Sequence, residues 1–378
     1  MLTVTSSCPS KQIEKITGLS GFGLWEFNFG GTAYTVQLLA DLHGSTEEIC
    51  KQCTNSKCVH LNHFIEDQLK CSDIPTHLYL EMPFVFANES VEDDTNFEDP
   101  RMDYMSYIRH YIGKFARKKH YPHALVHYVD VRLFGSFELL EVAEGFFTQN
   151  RKFDRHVYKN NIQPMKDALN LDFSSWKTTV DKIFDVYVFS DNFVKDYAKH
   201  MPNIFKILPH LHLNGDKWWV EETSFMGGKG RVPIIRKEIL KLNMHAQKLL
   251  MEYALLLRTK MKSLKYFQKE EGITQSVKKN FSLIKAETIN IYLGSALIEI
   301  YTIARMFRTF DIDEHEKRKN VILYFGHGHI GHFETWFLPL LREFTHVKET
   351  QKLVINEDNN SDEFRCTHIK KNLSINLY

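Results

Sequence analysis

Short apolar and β-branched runs that stop abruptly at polar residues or proline constrain this chain more than any other feature. Four such runs predict buried strands: Tyr34–Ala40, His77–Met82, Ala124–Leu133 and Val321–Phe325. After the first run, Ser45 and Glu48 stand in the register of a capping box, so we expect a helix to begin there. After the last, the apolar pattern predicts a helix over Glu334–Phe344. Strand, turn and helix in succession indicate an α/β fold.

The middle of the chain has a different pattern. Apolar residues recur three and four positions apart in Phe137–Phe147, Val180–Met201, Ile234–Phe267 and Leu283–Phe310, the spacing of amphipathic helices. We therefore expect a single α/β domain over residues 1–378, with strands mainly in 30–135 and 318–356. Residues 136–316 are expected to form a helical insertion or subdomain.

Composition and charge narrow the possible partners. The 48 basic and 47 acidic residues nearly cancel, which argues against nucleic-acid binding through overall charge. The first twenty residues lack the apolar segment of a signal peptide. Glu299 and Arg305 interrupt the most apolar helical stretch, Ile291–Phe307, so we expect no membrane span.

Four of the six cysteines lie close together in the sequence, at Cys50, Cys53, Cys58 and Cys71. Only the first two have the two-residue gap typical of a zinc site. Zinc binding, reduced thiols and disulfides all remain open at this point.

Polar residues that could bind a metal follow three of the predicted strands. Asp41 and His43 follow the first, Glu81 ends the second, and His327 and His329 follow the last. In open α/β sheets, ligands bind at the carboxyl ends of the strands, so these side chains are expected to meet.

Two imidazoles with one or two carboxylates form the ligand set of a divalent transition metal, here Mn, Co, Fe or Zn. A single histidine at a strand end is more often a surface residue, but three within six residues, ending at His332, favour the metal hypothesis. We expect Gly326, Gly328 and Gly331 to let the backbone approach the ion or to adopt positive φ. His332 is expected to support the ligands from outside, and Asp130 and Arg132 to form an ion pair beneath the site.

These motifs resemble the superfamily that includes the Tiki and TraB proteins, the ChaN haem-binding lipoproteins and the erythromycin esterases. Ala40-Asp41-Leu42-His43 corresponds to a Gly-Glu-x-His strand end, Leu80-Glu81-Met82 to a second strand end, and Gly326-His327-Gly328-His329 to a late Gly-x-x-His. The resemblance implies a central mixed sheet flanked by helices and a metal centre at His43, Glu81 and His329. Ala40-Asp41 departs from the Gly-Glu pattern and shortens the carboxylate by one methylene.

The chain also resembles uncharacterised proteins of large DNA viruses, in the segments Tyr301–Phe307 and Tyr324–His329. The leading hypothesis is a metal-dependent hydrolase, with Asp41 or His327 as the proton-transfer partner. One alternative is a viral structural or host-interaction protein that retains the fold, located in the host cytoplasm or the virion. Another is haem binding. The sequence leaves the substrate and the oligomeric state open.

Overall fold

The computed structural model describes residues 13–41, 57–81, 121, 123–130, 176–189, 234–263, 293–313, 316–355 and 366–369. The chain divides into two compact units. The first consists of Met1–Asp130 with Thr309–Tyr378, and the second is Val131–Arg308. The predicted helices at Phe137–Phe147 and after Ser45 lie outside the described residues.

The first unit contains nine strands among the described residues. In chain order they are β1 (Lys15–Thr17), β2 (Gly21–Phe29), β3 (Thr32–Asp41), β4 (Cys58–His60), β5 (Thr76–Leu80), β6 (Ala124–Tyr128), β7 (Arg318–Gly326), β8 (Val347–Ile355) and β9 (Cys366–His368). Its helices are α1 (Leu61–Cys71), α6 (His327–His332) and α7 (Leu338–Phe344), with a π-helical turn, Phe333–Phe337, joining the last two.

A six-stranded sheet in the order β6-β5-β7-β3-β2-β8 forms the centre of this unit. The four strands β6, β5, β7 and β3 pair in parallel with one another, whereas β2 is antiparallel to both β3 and β8. The prediction of a mixed sheet with helices is therefore confirmed. Gly30 and Gly31, with φ of 59° and 86°, close the β2–β3 hairpin in the left-handed conformation that favours glycine.

The two faces of the sheet pack against different helices. On one face, Leu39, Leu80 and Tyr324 join a buried apolar cluster that includes Phe64 and Ile65 of α1. On the other, the Phe325 ring lies 6.0 Å from the ring of Phe333, just after α6. Adjacent residues of a strand point to opposite faces, so Tyr324 and Phe325 contribute to different layers of the core.

A second, smaller sheet has the order β4-β1-β9, and each of its strands is three residues long. Strand β1 pairs parallel to β4 and antiparallel to β9. Strands this short form few ladder hydrogen bonds, so this sheet depends on packing for its stability.

The second unit is helical over its described residues. Its helices are α2 (Trp176–Phe184), α3 (Ile234–Leu240), α4 (Met244–Lys262) and α5 (Gly294–Phe307). The Asn243 side chain accepts a hydrogen bond from the Ala246 amide and so caps the start of α4. Within this unit, the Tyr253 hydroxyl donates to Glu299 Oε2 at 2.8 Å, and both side chains are fully buried. No helix among the described residues is long and apolar enough to span a membrane.

Candidate functional site

Glu81 stands immediately after β5, where its carboxylate is held against the end of β7. The Gly326 amide donates a hydrogen bond to Glu81 Oε2 at 2.8 Å, and the Glu81 amide donates to the Tyr324 carbonyl at 3.4 Å. The Glu81 side chain is only 6% exposed. Because one carboxylate oxygen is fixed by the backbone, the orientation of the other is fixed as well.

His329 lies on the first turn of α6, directly after β7. Its Nε2 atom is 3.3 Å from Glu81 Oε1, and its side chain is 8% exposed. Its ring lies 5.9 Å from the ring of Phe325, which belongs to the same face of the sheet. Glu81 and His329 are 248 positions apart in the sequence, and the parallel pairing of β5 with β7 brings them together.

The separation of Nε2 and Oε1 fits a pair of metal ligands. A strong charge-assisted N–H···O hydrogen bond is about 2.7–2.9 Å long, so 3.3 Å is a long contact for such a pair. Two donors that each lie about 2.0–2.1 Å from a tetrahedral ion are about 3.3–3.4 Å apart. The donor types, one carboxylate and one imidazole, also suit a divalent transition metal.

Asp41 ends β3, the strand on the other side of β7, and pairs in register with Gly326. Its side chain is fully buried. Strand alternation places Asp41 on the same face as Leu39, whereas Glu81 and His329 meet on the face of Phe325. Asp41 therefore reaches the same edge of the sheet as the Glu81–His329 pair, but from the opposite face.

The segment after β7 differs from the prediction. The sequence predicts a helix over Glu334–Phe344, but in the structure the helical segment begins earlier, at His327. Successive helical residues are rotated by about 100°, so His327 and His329 point in different directions and do not share a face. His327 is half-buried, and it is separated from the Glu81–His329 pair by this rotation.

The prediction that Gly326, Gly328 or Gly331 adopts positive φ is wrong. Gly328 and Gly331 lie within α6, and neither they nor Gly326 have positive φ. A Cβ atom added to Gly328 or Gly331 would meet nothing within 4 Å, so no protein atom approaches these positions closely.

Other predicted site residues take separate positions. The His332 ring stacks on the Trp336 ring at 3.8 Å, one helical turn further along. Asp130 follows Val129, whose amide donates to the Leu80 carbonyl at 3.0 Å, so Asp130 also lies at this edge of the sheet. His43 and Arg132 lie outside the described residues. Within the described part of the chain, no group of three or more His, Cys, Asp or Glu side chains is arranged to hold a metal.

A buried polar network near the start of β5 was not anticipated from the sequence. His77 Nε2 lies 2.8 Å from Asp313 Oδ1, and His77 Nδ1 lies 2.9 Å from His127 Nε2. Lys319 Nζ lies 2.7 Å from Asp313 Oδ2, which also accepts a hydrogen bond from the Phe310 amide at 2.9 Å. The side chains of these four residues, His77, His127, Asp313 and Lys319, are all buried. The signal in the sequence was a histidine inside each of two apolar strands.

This network controls the charge of Asp313. Burial alone raises the pKa of Asp313, but the hydrogen bond and charge of His77 and the charge of Lys319 outweigh it and lower the pKa to about 2. Burial lowers the pKa of Lys319, and Asp313 partly compensates for that effect. With Asp313 ionised, His77 Nε2 must donate to it, and a single proton lies between His77 and His127.

The cysteine alternatives are settled at two positions. Cys58, the first residue of β4, and Cys71, the last residue of α1, are both disulfide-bonded. A sulfur in a disulfide has no thiolate to offer to zinc, so the zinc hypothesis does not apply to these two residues. Cys50 and Cys53 lie outside the described residues.

Comparison of the chain with protein-family models, with curated proteins and with solved structures finds no match. The structural facts that bear on function are therefore the sheet edge, the Glu81–His329 pair and the buried network.

Proposed function

We propose that this protein is a metal-dependent hydrolase whose centre includes Glu81 and His329. The observation that carries the proposal is the 3.3 Å separation of their donor atoms at the carboxyl edge of parallel strands. His43 completes the proposed ligand set because it stands two positions after Asp41, the last residue of β3, in the sequence and matches the motif of the Tiki, TraB, ChaN and erythromycin esterase superfamily. A divalent ion held there would lower the pKa of a bound water molecule from about 15.7 towards 7.

The protein's own contribution is orientation and partial exclusion of water. Gly326 holds one oxygen of Glu81, so the other is directed at His329 without loss of side-chain entropy on binding. The low exposure of both side chains strengthens their electrostatic interaction with a cation. Asp41 and His327 are the candidates for proton transfer. Asp41 reaches the same edge from the opposite face of the sheet, and His327 is rotated away from the pair on α6.

Metal uptake by purified full-length protein is the primary test. We expect wild-type protein to bind Mn²⁺, Co²⁺ or Zn²⁺ in isothermal titration calorimetry. Glu81→Gln retains an acceptor for the Gly326 amide and removes the charge, and His329→Ala removes the imidazole. Each variant should weaken metal binding at least about tenfold, in line with the loss of a ligand or its close support.

His346→Ala is the matched control, because His346 is exposed and lies after α7, away from the sheet edge. The proposal fails if wild-type protein binds none of the three ions, or if both site variants bind them as tightly as the control.

Hydrolysis is tested separately with ester, peptide and phosphate substrates, with and without a chelator. We expect turnover of at least one class that is lost on chelation and in the Glu81→Gln variant. Protein that binds the ion but turns over none of the three classes would be a metal-binding scaffold, and the hydrolase proposal would be overturned.

A further inference from the structure

All six cysteines belong to the first unit. They are Cys8, Cys50, Cys53, Cys58, Cys71 and Cys366, and the helical unit Val131–Arg308 contains none. Any disulfide that this chain forms within itself therefore lies in the first unit.

Two of these cysteines flank a structurally weak part of the fold. Cys58 begins β4, an outer strand of the sheet whose strands are only three residues long, and Cys71 ends α1, the helix that follows directly. Both are disulfide-bonded. Cross-links at the two ends of this strand and helix restrict the unfolded chain where backbone hydrogen bonding contributes least.

We infer that the disulfides at Cys58 and Cys71 form during maturation and that the protein therefore folds and works in an oxidising compartment. Formation of each bond breaks two S–H bonds and joins the two sulfurs, releasing two electrons and two protons. These pass to the disulfide of a thiol oxidoreductase, which is reduced to a dithiol. The reducing pool of a typical cytosol would keep both thiols free.

This inference is independent of the proposed hydrolase centre, because neither cysteine is among its ligands. It favours a lumen or an extracellular space over the host cytoplasm, which with the virion was one of the two locations considered for a viral protein. It also identifies a partner class for folding, a disulfide-donating oxidoreductase.

The direct test is peptide mapping of acid-quenched, alkylated full-length protein without reduction. We expect Cys58 and Cys71 to be found in cross-linked peptides and to carry no alkyl group. If both cysteines are alkylated in folded protein, or retain zinc as thiolates, the inference is wrong.

Production of the same chain in a reducing cytosol and in an oxidising periplasm tests the compartment. The periplasmic protein should carry the bonds and melt about 5–15 °C higher than the cytosolic protein. Reductant should lower the Tm of the wild-type periplasmic protein by more than that of the Cys58→Ser/Cys71→Ser variant. Equal Tm values for the two preparations, with both thiols free in the cytosolic one, would overturn the inference.

Discussion

Replacement of Asp313 by asparagine tests whether the buried network stabilises the first unit through charge. The Asp313 carboxylate balances the charge of Lys319, whose Nζ lies 2.7 Å from Oδ2 and which is only 3% exposed. Its other oxygen, Oδ1, lies 2.8 Å from His77 Nε2. Removing one partner of a buried ion pair leaves the other charge uncompensated, which costs about 3–5 kcal/mol. We therefore expect Asp313→Asn to lower the free energy of unfolding by about that amount at pH 7.

The pH dependence separates this cause from a loss of packing. The pKa of Asp313 is about 2 in the folded protein, against about 3.9 in an unfolded chain. A lowered folded-state pKa means that the stabilisation is fully present above pH 4 and is lost as the pH falls towards 2. In full it amounts to about 2–3 kcal/mol, of which roughly two thirds is lost by pH 2.5, so the difference in free energy of unfolding between wild type and variant should narrow by about 1.5–2 kcal/mol between pH 5 and pH 2.5.

Hydrogen exchange of the β5 and β7 amides, followed by mass spectrometry, localises the effect to this unit. Asp311→Asn is the matched control, since Asp311 begins the short 3₁₀ turn Asp311–Asp313 that Asp313 ends, but is exposed. Adding Lys319→Met to Asp313→Asn removes both charges and should recover part of the lost stability. Two results would refute a stabilising role for the Asp313 charge. One is equal amide exchange in the Asp313→Asn and Asp311→Asn variants. The other is a difference in free energy of unfolding between wild type and Asp313→Asn that stays constant between pH 5 and pH 2.5.

Three further substitutions test separate features. Gly328→Ala should raise stability by about 0.5–1 kcal/mol in urea denaturation, because the site is helical and open, and leave metal affinity unchanged in calorimetry. Tyr253→Phe removes the hydrogen bond to buried Glu299 and should lower the free energy of unfolding by about 1–3 kcal/mol. Lys348→Ala breaks an ion pair with Glu26, and the Lys348 and Glu26 side chains are 66% and 41% exposed. The free energy of unfolding measured in urea should therefore change by less than about 0.5 kcal/mol.

The strands that carry the candidate site were predictable because burial leaves a strong apolar signal. Tyr34–Ala40 lies within β3 and Val321–Phe325 within β7. Among the polar residues that follow these runs and that the structure describes, Asp41, His327 and His329 lie at one edge of the sheet. Strand β2 was not predicted, although Phe22, Trp25 and Phe27 are all buried, because its glycines and polar residues obscure the pattern.

The start of α6 was not predictable from local preferences. Glycine and histidine are weak helix formers, so the segment from His327 to His332 indicates a turn when read alone. In the structure it forms a helix whose Ile330 is fully buried, so tertiary packing outweighs propensity. The contact between His77 and Asp313 was hidden for another reason: 236 positions separate the two residues, and no local pattern reports such a pairing.

The position of β7 between β3 and β5 has a consequence for biosynthesis. The ribosome completes both flanking strands long before it reaches Arg318, so a nascent chain must carry two unsatisfied strand edges until the missing middle strand emerges. Such edges are templates for wrong partners. We expect chains truncated before Arg318 to aggregate or to recruit chaperones, and the Glu81–His329 pair to form only at the end of synthesis.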